Sequence, residues 1–106
     1  MAYQAGRLNE RIHIEVPKQT RNSLGEAHIE WHSFDRVYAS VDGMRSKEIL
    51  QAMQANVIAT HKITIRYRDG IDHKARITWR GRTMEIASVV ERHRRTCLEL
   101  LVREVT

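Results

Sequence analysis

The chain of 106 residues has one cysteine, one proline and few aromatics: two Trp, three Tyr and one Phe. Each scarcity excludes something. A lone Cys97 forms no intrachain disulfide, so a disulfide-stapled scaffold is excluded and a reducing compartment is favoured, or one where thiol oxidation plays no part. It also leaves no cysteine pair for a structural zinc. The few aromatics do not make the stacking platform that single-stranded nucleic acid requires, and Trp31, Tyr67 and Trp79 read as core residues. No apolar run approaches the roughly 20 residues that span a bilayer, so no membrane role is expected. Met1 to Arg7 lacks the apolar core of a signal peptide, so no secretory leader is expected.

What is present is charge, 29% of residues, with a net +5 that favours acidic partners. The length fits one domain over 1–106 with a modest core, to which assembly can add stability. Neither repeats nor a domain boundary is visible.

Alternating apolar and polar residues predict six strands. The first covers 11–17, with Ile12, Ile14 and Val16 on one face and Pro17 as its end. A polar connection, 18–26, precedes a second extended region at 27–41. Four more strands follow at 60–68, 75–80, 83–90 and 96–104. Residues 1–10 read as an extended arm. Between the second and third strands, 42–60 is an inserted segment with one helix at about 46–56. Its helix formers carry an apolar stripe of Ile49, Leu50, Met53 and Val57, with Ser46 as N-cap and Glu48 in the first turn. Either that helix plugs the sheet, or its polar face, with Lys47, Gln51 and Gln54, meets a partner subunit. The fold class expected is mainly β, a small antiparallel barrel of about six strands with one inserted helix.

The segment Ile63 to Arg68 alternates strictly, and its polar face carries Arg66 and Arg68. The strand at 75–80 repeats the arrangement with Arg76 and Arg80. If the two form a hairpin, either short register crowds like charges, which is unfavourable in a sheet. A turn at Arg80-Gly81 would pair Thr83 with Thr78 and Glu85 with Arg76, relieving some of that crowding. The basic face is either solvated or docks an acidic protein or a phosphate backbone. Arg92, Arg94 and Arg95 form a second basic cluster in the last turn, with the same two readings.

Catalytic signatures are missing: no HExxH, no GxSxG and no P-loop. The six histidines are scattered, and His28 and His32 on one strand face stand about 13 Å apart, too far for one metal. No enzyme activity, cofactor or metal is expected.

Taken in order, these segments resemble the head–tail joining family of long-tailed bacteriophages, the head-closure or head–tail adaptor proteins. The matching pieces begin with Gly6-Arg7-Leu8 and Arg11-Ile12-His13-Ile14, followed by Gly25-Glu26 and Trp31. Val37-Tyr38-Ala39-Ser40-Val41 comes next, with Glu48 and Ala52 in the helix. Ile63-Thr64-Ile65-Arg66-Tyr67-Arg68, Arg76-Ile77 and the run from Gly81 to Ala87 complete the set. The resemblance implies a small β-barrel with an inserted helix and loop. It implies a virion protein at the head–tail interface, assembled in the host cytoplasm, that forms a ring of its own copies below a portal or adaptor protein. Such a ring helps close the channel over packaged double-stranded DNA and joins head to tail-completion or tail-tube proteins. The resemblance places Asp42 to Ala59 towards the channel. Arg66, Arg68 and Arg76, with Lys47, Gln51 and Gln54, become expected partner or subunit contacts; Arg92, Arg94 and Arg95 become expected DNA-facing or acidic-partner contacts. Two other readings stay open: a tail-completion or terminator ring protein, and a stand-alone nucleic-acid-binding β-barrel.

Overall fold

The computed structural model describes residues 8–92, 94 and 96–105. It contains β1 (Glu10–Arg21), β2 (Ala27–Gly43), α1 (Ser46–Gln54), β3 (His61–Arg66), β4 (Arg76–Trp79), β5 (Arg82–Arg92) and β6 (Cys97–Val105). The strands pair antiparallel and close into a barrel in the order β1-β2-β3-β6-β5-β4. The mainly β barrel read from the alternation is therefore the fold. Of the expected N-terminal arm, residues 1–7 lie outside the described residues, and Glu10 already belongs to β1.

Alternation decides which side chains fill the barrel. Ile12 and Ile14 from β1, Ile63 and Ile65 from β3, Ile77 from β4, Met84 from β5 and Leu100 from β6 are all at most 1% exposed. Val102 and Leu98 complete the packing, with Val37, Tyr67 and Trp79 partly buried against it. The described residues include no buried polar or charged side chain. Cys97 is a core residue: burial pushes its thiol pKa up and nearby Glu99 adds to this, against a smaller opposing effect of Arg92. A thiol held protonated in this way is inert packing rather than a nucleophile.

Four expectations need correction. First, 63–68 and 75–80 are not a hairpin. β3 pairs with β2 and β6, whereas β4 pairs with β1 and β5. In the closed order they stand on opposite sides, and residues 67–75 cross the barrel mouth between them. Ile71 and Ala75, inside this apparently polar connection, are drawn into the core. Gly70 lets the crossing pass: its φ is +91°, and a Cβ there would come within 3.1 Å of the Phe34 ring.

Second, Pro17 does not end β1. The strand continues to Arg21 and pairs Pro17 with Trp31, so β1 and β2 form a long two-stranded arm closed by the turn at 22–26. β4 pairs with β1 only at His13, Ile14 and Glu15. Beyond Glu15 one edge of β1 is open, and a proline is tolerated on an edge strand. A bulge at Ile14/Glu15, with Phe34 as the extra residue on β2, marks where the arm leaves the barrel. The Asn22 side chain organises the tip by accepting the backbone N–H groups of Leu24 and Glu26 at 3.0 and 2.9 Å.

Third, Trp31 lies on the arm, outside the core, and is 37% exposed. Fourth, the helix plugs nothing. α1 ends at Gln54, has no buried residue, and leaves Leu50 and Met53 more than half exposed. Its N-cap is Arg45, not Ser46. The arginine has no acceptor to offer, so only the reciprocal half of a capping box forms, with Glu48 Oε1 accepting the Arg45 N–H at 3.3 Å.

The β4–β5 turn follows expectation. Arg80 and Gly81 both have positive φ, 49° and 77°, as a two-residue type I′ hairpin demands. Thr78 faces Thr83 and Arg76 faces Glu85, the register that such a turn imposes.

Leu100→Ala is expected to destabilise the domain by about 2–5 kcal/mol through the cavity it leaves. Leu24→Ala at the exposed arm tip is expected to shift stability by no more than about 0.5 kcal/mol. Chemical denaturation of the two variants checks both values.

Candidate interaction surface

The outward positions of the barrel divide into walls of different character. Across β1, β4, β5 and β6, one row of facing residues reads Glu15, Arg76, Glu85, Arg103. Signs alternate strand by strand, the favourable cross-strand arrangement. Arg76 donates to Glu15 at 3.1 Å and Arg103 donates to Glu85 at 2.5 Å. Around this row, Glu10 holds Arg80, Glu104 holds Arg82 and Glu99 holds Arg92. This wall neutralises itself.

Glu15 is the most enclosed of these acids. Burial pushes its carboxyl up, but hydrogen bonds from Arg76 and Thr78, with the Arg76 charge, outweigh that and leave its pKa below the usual glutamate range. Arg76 also lies over the Trp31 ring at 4.2 Å from its centroid, fastening the root of the arm to the barrel wall. Glu85 does stand between two basic residues, Arg76 and Arg103, but it bonds Arg103, and the carboxylate that takes Arg76 is Glu15.

The expected contact residues are therefore dispersed. Arg68 pairs with Asp35 and lies over Phe34, at 4.8 Å. Arg76 is half-buried in the neutral wall. Arg66, by contrast, is exposed and has no carboxylate partner among the described residues. Lys47, Gln51 and Gln54 are exposed on α1, whose own anchoring to the barrel runs through Lys62 and Glu48, 3.2 Å apart. The Arg45 backbone N–H and then Lys62 hold the Glu48 carboxyl below its usual range. Arg92 forms an ion pair with Glu99 at 3.6 Å, and Arg94 is exposed in a left-handed turn conformation. Arg95 lies outside the described residues.

Residues missed by sequence reasoning lie on β1 and β2. Arg11 and Tyr38 face each other, as do His13 and Arg36, all on the outer surface. The Arg11 guanidinium sits 5.4 Å from the Tyr38 ring centroid. A depression of about 320 Å³ beside Tyr38 is lined by Val37, Arg66, Tyr67 and Arg68. The signal was there in the alternation of Arg11 with Ile12 and of Arg36 with Val37, but only the strand order brings these positions beside Arg66.

On the arm, His28 and His32 flank Glu30, with contacts of 3.2 and 3.4 Å. The hydrogen bond from His28 is the main reason the Glu30 carboxyl titrates low, with a lesser contribution from His32 against some desolvation. The three form a polar ladder on one arm face. No group of three or more potential ligands among the described residues is arranged to hold a metal ion. The opposite arm face carries Pro17, Ile29 and Trp31, and Ile29 is 62% exposed.

A family profile described as phage head completion protein matches residues 3–105. A Shigella flexneri 2a protein with a known solution structure is 36% identical, each chain covering 96% of the other, with a TM-score of 0.82. A chain from the virion of a native gene transfer agent particle is 21% identical, with coverage of 92% and 94% and a TM-score of 0.62, a likeness of fold. No curated protein matches the chain.

The pH dependence of Glu15 is a direct test of the neutral wall. Its carboxyl titrates lower in the folded than in the unfolded chain. Its stabilising contribution is therefore complete above the ordinary value of 4.5 and lost as pH falls through the folded value. Glu15→Gln is expected to cost about 1–2 kcal/mol at neutral pH. Denaturation curves should show the gap from the unsubstituted protein constant above pH 4.5 and narrowing below it.

Proposed function

The chain belongs to the phage head completion protein family, and from that premise we propose that it is a non-enzymatic structural protein of the phage neck, one copy in a ring beneath the portal or adaptor. The ring helps close the channel over packaged DNA and offers the surface on which the tail docks.

The observation that carries this reading is apolar surface that the barrel does not cover. Leu24 and Ile29 on the arm, and Leu50, Met53 and Ile58 on the insert, are each more than half exposed. Leu50 and Met53 are three apart on α1 and so adjacent on its surface. Apolar patches left open on a small domain mark contact with other chains. The barrel core is complete without them, so their place is between copies or against the neighbouring rings.

In this arrangement the insert from Asp42 to Ala59 turns towards the channel. Lys47, Gln51 and Gln54 border the apolar stripe as subunit contacts. Near the β5–β6 turn, the exposed Arg94 adds positive charge where DNA passes, beside an Arg92 that is paired with Glu99. Arg68 and Arg76 serve mainly to tie the arm root and barrel mouth together, through Asp35 and Glu15, and so hold the docking surfaces in shape.

The double substitution Leu50→Glu, Met53→Glu tests the reading. Because both side chains are exposed, the purified variant should keep its stability to within about 0.5 kcal/mol. In phage assembly it should be lost from particles, leaving tailless heads that leak DNA, as read by immunoblotting and negative-stain microscopy. Normal incorporation and tailed, infectious particles would overturn the proposal.

A further inference from the structure

The outer surface around Tyr38 is the place where charge is left over. Arg11 on β1, Arg36 on β2 and Arg66 on β3 are exposed, and none has a carboxylate partner among the described residues. These three strands are consecutive in the barrel. With neighbouring strands about 4.8 Å apart, the three arginines stem from a patch roughly 10 Å wide. Tyr38, 57% exposed, stands among them with Arg11 over its ring. Elsewhere on the same barrel, arginines in facing positions have acquired acids. Here the described residues supply none: Asp35 beside Arg36 is taken by Arg68, and three like charges are left to repel one another.

We propose that this face docks an acidic segment of a different virion protein. The inference rests on the neck reading above for where that protein is met. Charge complementarity selects the chemistry: exposed guanidinium forks match carboxylates two oxygens at a time. A second copy of this chain is a poor occupant. Its Glu10, Glu15, Asp35, Glu85, Glu99 and Glu104 already hold arginines. Asp42 and Asp69 take the hydroxyls of Ser40 and Tyr67 at separate points of the chain. Glu48 holds Lys62, Glu30 stands between His28 and His32, Glu26 takes the Asn22 side chain and Asp72 the Lys74 N–H, so among these acids no unpaired cluster is offered in return. A DNA duplex is also a poorer match. Its affinity comes from many phosphates contacted along a track, whereas the basic patch is compact and borders a wall rendered neutral by Glu15 and Glu85. Arginine around an exposed tyrosine is the composition of a protein–protein contact centre.

The test is photocrosslinking in assembled particles, with a benzophenone side chain in place of Tyr38. Irradiation should join the chain to an Asp/Glu-rich segment of another virion protein, identified by mass spectrometry. Adding Arg11→Glu, Arg36→Glu and Arg66→Glu should reduce that adduct about tenfold or more while the melting temperature of the purified protein stays close to that of the parent. If the chain is present in particles but the adduct forms with its own copies, with DNA or with nothing, the inference falls and the neck reading stands. An adduct with another protein that survives charge reversal also overturns it. Absence of the unsubstituted chain from particles overturns the neck reading and this inference together.

Discussion

Closure of the barrel is the constraint on which the remaining structure depends. β3 must leave β2, accept β6 as its second neighbour, and hand the chain to β4 on the far side. That transfer is possible because 67–75 can span the mouth and bury Ile71 on the way. Once the barrel is closed, every strand has a definite inside and outside, and a change of one residue in register would turn isoleucines outward and arginines inward. Six strands of period two thereby convert a simple alternation into a dry core and a charged shell. The β1–β2 arm outgrows the barrel past the bulge at Ile14 and Phe34 and leaves its own strand edges open.

The charged shell is not uniform, and stability does not explain its pattern. Exposed ion pairs contribute about 0–1 kcal/mol each, so the alternating row from Glu15 to Arg103 adds little beyond its most enclosed member. What it does is cancel charge on one side of the barrel. The net positive charge is left to project from β1, β2 and β3, and from the turns. A protein surface that is neutral on one side and basic on another can approach an acidic neighbour in one orientation, since misorientation brings no attraction. The sign pattern is thus a device for orientation more than for holding the fold.

Much of this was legible in the alternation of single residues. Ile63 and Ile65 are in the core, and Glu85 faces Arg76 as the Arg80-Gly81 turn requires. Other features depended on information that is not local. Ile71 sits among Asp69, Gly70, Asp72 and His73, a composition indistinguishable from a solvent loop until the mouth of the barrel is seen above it. Pro17 reads as a strand end only if β1 has neighbours on both sides, and whether an edge is open is a property of the sheet. Trp31 reads as a core residue because tryptophan is highly buried on average; on the arm it is covered in part by Arg76 instead. Arg11 alternates with Ile12 and Arg36 with Val37, yet nothing in their own segments says that β1 and β2 lie between the strand of Arg76 and the strand of Arg66.

The helix shows most clearly what a sequence pattern does and does not report. Its apolar stripe is real, and it records that Leu50 and Met53 are destined for burial. It does not say by what. In an isolated single domain such a stripe folds back on the sheet, which is the plug, one of the two readings the pattern allows. Here the tether is short and polar: Lys62 takes Glu48, and the Met44 N–H donates to the Thr60 carbonyl at 3.0 Å, which pins the two ends of the insert together. Held at its base, the helix presents its stripe outward at little conformational cost, because the ordering has already been done. An amphipathic pattern whose apolar side finds no cover in a closed barrel therefore points away from the chain itself, to the surface against which it assembles.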